Sequence, residues 1–209
     1  MRQALPLPPP MMMFSWTGLY LGGQVGYSWG NDHTIEYLTA GGAFTGFQWK
    51  YPANGVVGGG YAGYNYQIGP AVLGLEADLE GAGNKGGFYD PPGAGDTKIS
   101  WQGSVRGRLG YAVNRVLFYG TGGFSFADIS HTYVEVATPI SETTKEIRSG
   151  WTVGGGIEFA VTDNILAKAE YRYTDYGKYR YDSKTAFPGL TGEQQPTLNT
   201  VRLGVAYKF

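Results

Sequence analysis

The residues from Leu198 to Phe209 alternate strictly: Val201, Leu203, Val205, Tyr207 and Phe209 share one face, while Thr200, Arg202, Gly204, Ala206 and Lys208 share the other. A period of two with one apolar and one polar side is a strand pattern. An apolar side that ends in aromatics is what contact with lipid requires. The same alternation recurs along the chain, at residues near 17–29, 56–67, 71–81, 100–111, 116–126, 150–160 and 165–174. With the last segment this predicts eight strands, an even number able to close into an all-β, antiparallel up-and-down transmembrane barrel.

Fixing the phase of each strand sorts side chains into outward and inward sets. In the first strand Leu19, Leu21, Val25, Tyr27 and Trp29 point out, with Tyr20, Gln24 and Ser28 inside. The glycine-rich second strand puts Ala62, Tyr64 and Tyr66 out and Tyr61 and Asn65 in, which sets two tyrosines at a membrane interface. The third alternates Leu73, Leu75, Ala77 and Leu79 with Glu76, Asp78 and Glu80, so three carboxylates must face the interior. The fourth turns Arg106 and Arg108 inward, the sixth Glu158, the seventh Lys168, Glu170 and Arg172, and the eighth Arg202. Leaving aside Lys208, which shares the inward face near the chain end, five acids then meet five bases inside, and the interior balances its own charge.

Connections alternate in length. Ile68-Gly-Pro70, Val113-Asn-Arg115 and Thr162-Asp-Asn164 carry turn chemistry, whereas 30–55, 82–99, 127–149 and 175–197 read as four long loops. Outer-membrane barrels combine short periplasmic turns with long extracellular loops, so both termini are expected in the periplasm. The Arg2 to Pro10 segment carries four prolines and cannot be the apolar helix of a signal peptide. It reads as the start of a mature chain whose secretion signal is gone: residues 1–13 form a periplasmic tail and 14–209 a single barrel domain.

Composition narrows the classes further. The chain holds 35 Gly and 17 Tyr in 209 residues and no Cys. Glycine costs about 1 kcal/mol in a helix interior but suits a narrow lumen where side chains would collide. No stretch approaches the roughly 18 apolar residues of a membrane helix. A net charge of −1 without a basic run gives no reason to expect nucleic acid.

Phe14-Ser-Trp-Thr-Gly-Leu-Tyr20, Ala62-Gly-Tyr-Asn-Tyr-Gln67, Gly150-Trp-Thr-Val-Gly-Gly-Gly-Ile-Glu158, Ala167-Lys-Ala-Glu-Tyr-Arg-Tyr173 and the Val201 to Phe209 ending resemble the small porin-like outer-membrane proteins of alphaproteobacteria. That family is similar in architecture to the OmpA transmembrane domain. The resemblance implies an abundant envelope protein, with surface antigens and hemin binders among its relatives. It also implies that Phe209 serves as an assembly signal read by the barrel assembly machinery. The expected surroundings are outer-membrane lipid and lipopolysaccharide, with host or environmental ligands at the loops.

Other chemistry is thinly supported. Gly58-Gly-Gly-Tyr-Ala-Gly63 and Gly81-Ala-Gly-Asn-Lys-Gly86 have the G-x-G-x-x-G spacing, but neither opens a helix that could hold a pyrophosphate. His33 and His131 lie in different long loops, without metal-ligand spacing. A hemin role for them, with Tyr37 and Tyr133, follows from the family resemblance alone. Ser130-His131 is the only Ser/His neighbour pair and lacks a placed acid, so no enzyme is expected. The lumen cluster of Glu76, Asp78, Glu80, Arg106, Arg108, Glu158, Lys168, Glu170, Arg172 and Arg202 has two readings. One is a gate whose ion pairs, between the third-strand acids and Arg106/Arg108 or among the remaining five, exchange partners to make a narrow diffusion channel. The other, favoured because side chains fill an eight-stranded barrel, is a plug inside a structural and surface-interaction protein.

Overall fold

The computed structural model describes residues 14–90, 93–135, 140–182 and 189–209. The 1–13 tail lies outside these residues. Ten strands follow in order: β1 (Gly18–Leu38), β2 (Phe44–Ile68), β3 (Ala71–Ala82), β4 (Lys85–Asp90), β5 (Gly93–Val113), β6 (Val116–Glu135), β7 (Ile140–Ala160), β8 (Ile165–Asp175), β9 (Tyr179–Asp182) and β10 (Leu190–Lys208). Neighbours run β1-β10-β8-β7-β6-β5-β3-β2, every pair is antiparallel, and β2 pairs back onto β1. The sheet therefore closes and has no free edge in its membrane part, the condition for a strand structure in lipid. β4 continues the line of β3 against β5, and β9 continues that of β8 against β10, so the wall is eight strands around.

The alternation sets the two faces as the sequence predicts. Outward side chains such as Leu75, Leu109, Leu203 and Phe124 are exposed, and the inward ones between them are buried. The second strand follows its predicted phase: Tyr61 and Asn65 are buried, while Tyr64 and Tyr66 are exposed. Short links are tight where turn chemistry was read. Gly69 and Pro70 join β2 to β3 with Gly69 at φ 59°, and Asn114 joins β5 to β6 at φ 53°, a left-handed conformation that asparagine tolerates.

The four long loops are a correction. The described residues of these segments are mostly strand: β1 and β2 run on to pair Ile35 with Gln48, β5 and β6 to pair Gly93 with Glu135, and β6 and β7 to pair Glu135 with Ile140. The barrel wall thus continues well beyond the lipid as a collar of hairpins. The reason is physical. Above the membrane the outer face meets water and turns polar, while apolar Ile99, Ala127, Ile129 and Tyr176 appear on the inner face, so the contrast that marks a lipid-facing strand disappears. The ladder hydrogen bonds and a supply of threonine, valine and tyrosine remain. His33 and His131 accordingly sit on strands, with His33 opposite Gln195 and Lys50 and His131 opposite Thr97 and Thr144. The tyrosine-rich 171–181 segment is divided between β8 and β9 around a break at Tyr176.

Glycine is required where inward-facing backbone lies under a neighbouring side chain. A methyl at Gly22 would land on the Val205 carbonyl oxygen, 2.7 Å from the Tyr61 ring and 2.8 Å from Ala206 Cβ, whereas at outward-facing Gly23 it would meet nothing closer than 3.9 Å. Gly22→Ala should therefore lower the urea midpoint of the refolded barrel clearly, and Gly23→Ala should leave it within error. Equal midpoints in tryptophan-fluorescence unfolding would contradict this packing.

Candidate functional site

The interior divides into three layers along the barrel axis. Near the short turns, Val72, Leu117, Ala160, Leu166 and Ala206 meet the rings of Tyr20, Tyr61 and Tyr119 and are closed off by Trp16. Trp16 folds across the opening just before β1. Its indole N–H donates to the Asn114 carbonyl at 3.3 Å on the far wall, and its backbone N–H donates to Gln67 Oε1 at 2.7 Å. Phe14 packs edge-on against it at 5.0 Å. At the opposite end Ile99, Ala127, Ile129, Tyr176 and Leu198 form a second apolar layer. Tyr176 is delivered there by the break after β8, its N–H donating to the Pro196 carbonyl at 3.2 Å.

Between these layers lie the ten charged residues read from the sequence, all buried. Arg106 is central: its guanidinium reaches Glu76 at 2.5 Å, Glu170 at 3.1 Å and Asp78 at 3.2 Å, and also donates to Ser104 and Thr121 at 3.0 Å each. Arg172 grips Asp78 at 3.0 Å and Glu170 at 2.9 Å. Lys168 donates to Glu76 at 3.0 Å and stands 3.4 Å over the Tyr61 ring. Arg108 pairs with Glu158, lies 3.7 Å from Glu76 and stacks 3.7 Å over the Tyr119 ring. Arg202 holds Glu80 through two donors, each at 2.8 Å, while Gln24 and Gln102 donate to the two oxygens of the same carboxylate at 2.8 Å.

This pairing differs from the one expected. The sequence divides the charges into third-strand acids with Arg106/Arg108 and a separate group of five, but the partners cross that division. Glu80 pairs with Arg202, Asp78 with both Arg106 and Arg172, and Glu158 with Arg108. Strand neighbours explain little of this, because the lumen is narrow enough for an arginine to span it. Arg106 directly faces Glu76 across the β3/β5 ladder, whereas Arg172 reaches Asp78 across the interior.

Two tyrosine hydroxyls join the network, Tyr20 donating to Glu76 at 2.9 Å and Tyr119 to Glu170 at 3.1 Å. The two closing aromatics were missed by sequence reasoning, although the signal was present. Trp16 shares parity with Tyr20, and Tyr176 with Arg172 and Thr174, so continuing the inward phase past each predicted strand end would have found them. Outside the membrane the collar has its own ion pair, in which Arg180 donates to Glu193 at 2.8 Å. That hydrogen bond, with Lys178 nearby, holds the Glu193 carboxyl below the usual carboxylate range.

Together the closed barrel and its buried polar interior define an integral membrane barrel of the outer-membrane type. Residues 11–209 match the family model described as outer membrane protein beta-barrel domain, and the chain belongs to that family. It is 35% identical to the 31 kDa outer-membrane immunogenic protein of Brucella melitensis biotype 1, over 98% of this chain and 88% of that one. It is 36% identical to the 22 kDa outer membrane protein of Rhizobium leguminosarum bv. viciae, over 93% and 79%. Among solved structures, the outer membrane protein OprG from Pseudomonas aeruginosa matches with TM-score 0.58 at 11% identity, covering 92% of this chain and 96% of that one. The outer membrane protease OmpT from Escherichia coli matches with TM-score 0.54 at 14% identity, covering 96% and 99%. At such identities the likeness is one of fold, and the relatives place the chain in the outer membrane as an integral protein.

Removing one member of a buried pair strands its partner, a cost of about 3–5 kcal/mol. Glu80→Ala leaves Arg202, Gln24 and Gln102 facing an empty site, and Glu76→Ala removes a partner of Arg106, Arg108 and Lys168. The double variant should refold with a markedly lower urea midpoint. An unchanged midpoint would show that these pairs contribute nothing to the barrel.

Proposed function

We propose that this protein is a non-conducting structural anchor of the outer membrane that carries a strand-built collar for surface contact. The observation that supports this most is the enclosure of the ion-pair network between two apolar layers: an ion entering from either side would first have to displace Trp16 or Tyr176. Glu76, Asp78, Glu170, Arg106 and Arg172, each paired with two or more opposite charges, are also poorly suited to exchange partners with a passing ion, because each exchange breaks several charge-assisted hydrogen bonds at once. Relatives named as immunogenic outer-membrane proteins fit a collar exposed at the cell surface. The exposed Phe209, packed edge-on at 5.1 Å to Tyr207 at the end of β10, suits a terminal signal for barrel assembly. A catalytic role has no support here, since Ser130 and His131 are consecutive on β6 and the OmpT likeness extends only to fold. Hemin capture through His33 and His131 rests on the family resemblance, and the two lie on β1 and β6, which are not neighbours in the wall.

Planar-bilayer recording of the refolded protein, with folding checked by heat-modifiable gel mobility, tests the closed lumen. The expected trace is silent. Reproducible small steps that change on charge reversal at Arg106 or Glu76 would replace this reading with a narrow diffusion channel.

A further inference from the structure

The outer wall of the collar carries a cationic groove that the anchor role does not use. In one register row across four adjacent strands, Lys85 on β4 pairs with Lys98 on β5, Lys98 with Ser130 on β6, and Ser130 with Lys145 on β7. These residues line a groove of about 430 Å³ whose upper part adds Thr132 and Thr143, hydrogen-bonded to each other at 3.1 Å. The lumen-facing positions alongside are Ile99 and Ile129, both buried, so the groove belongs to the outside of the barrel. All three lysines are exposed. Among the described residues the collar's ion pairs use Arg148, Lys178 and Arg180, and none uses these three. Among the described residues Asp96 is the one acid lining the groove, against three lysines.

Height and direction identify the ligand. Lys145 lies two residues above exposed Ile147 on β7, and Lys98 lies three above Trp101 on β5, so the row stands roughly 7–10 Å along the strands beyond their uppermost outward apolar side chains. That is headgroup height. The groove also opens sideways, toward the ground occupied by outer-leaflet lipid, rather than upward into solution. Lysine ammonium groups bind phosphate as point charges, and the hydroxyls between them add donors to its oxygens. Juxtamembrane lysines are attracted to anionic lipid in the same way. We infer that Lys85, Lys98 and Lys145 form a binding site for the phosphate groups of a phosphorylated glycolipid in the outer leaflet.

The test uses the full chain refolded into phosphatidylcholine vesicles, alone or doped with bisphosphorylated lipid A or with its dephosphorylated form. Urea midpoints are read by tryptophan fluorescence. Bisphosphorylated lipid A is expected to raise the midpoint and the dephosphorylated form to leave it unchanged. The Lys85→Gln/Lys98→Gln/Lys145→Gln variant should lose most of that rise and keep its midpoint in phosphatidylcholine alone. Lys178→Gln, a collar lysine outside the groove, should respond as the unmodified protein does. If the triple variant fails to fold, Lys98→Gln, at the centre of the row, should lose part of the rise. The proposal is overturned by a rise that survives the triple substitution, by an equal loss in Lys178→Gln, or by equal rises with both forms of lipid A. It is likewise overturned if soluble heparin binds through the three lysines while lipid A has no effect, which would make the ligand a polysaccharide in solution.

Discussion

Everything inside this protein follows from having to neutralise ten charged side chains within a tube whose diameter is fixed by its strand number. A strand that shows lipid a leucine on one face must show the lumen whatever lies between, and in β3 those residues are Glu76, Asp78 and Glu80. Unpaired, each buried charge would cost several kcal/mol, so the neighbouring and facing walls must supply cations at matching heights. Arg106, Arg108, Lys168, Arg172 and Arg202 do so, and most serve more than one acid. The lumen is in this sense the protein's core, built of ion pairs where a soluble domain would use leucine. Apolar layers flank it at both ends, and burial strengthens every pair within it.

The membrane section and the collar are held by different interactions. The membrane section is held by cross-lumen pairs and by packing such as that of Gly22 beneath Tyr61, and tolerates little change. The collar rests on ladder hydrogen bonds and solvated pairs such as Arg180 with Glu193, which constrain side-chain identity far less. The groove formed by Lys85, Lys98 and Lys145 lies on the boundary between the two regimes, where wall residues meet headgroups.

How much was legible in the sequence depended on the solvent facing each strand. Where one face meets lipid and the other the lumen, as from Leu73 to Glu80, period two gives element, phase and burial together. Above the membrane both faces are wet, and strands running to Leu38, Glu135 and Asp182 were read as loops because the contrast between faces had gone. The identity of the lumen charges followed from phase alone, but their partners did not. Pairing across the interior, as between Arg172 and Asp78, depends on the barrel's stagger and on side-chain reach, neither of which a single strand's pattern encodes. Trp16 and Tyr176 obey the same inward parity as their neighbours but lie beyond the ends of the alternating segments, where the two-faced pattern no longer marks a strand.

The central claim, that charges on opposite walls are locked together as a core, is tested most directly by a double-mutant cycle on Arg172 and Asp78, whose side chains meet across the lumen at 3.0 Å. Unfolding free energies of the refolded protein, Arg172→Met, Asp78→Asn and the double variant give the coupling between the two sites. A coupling of about 1 kcal/mol or more, with the double variant less harmed than the sum of its singles, is the predicted result. Additive losses would mean that the two groups do not depend on each other, and that the interior is held by something other than its ion pairs.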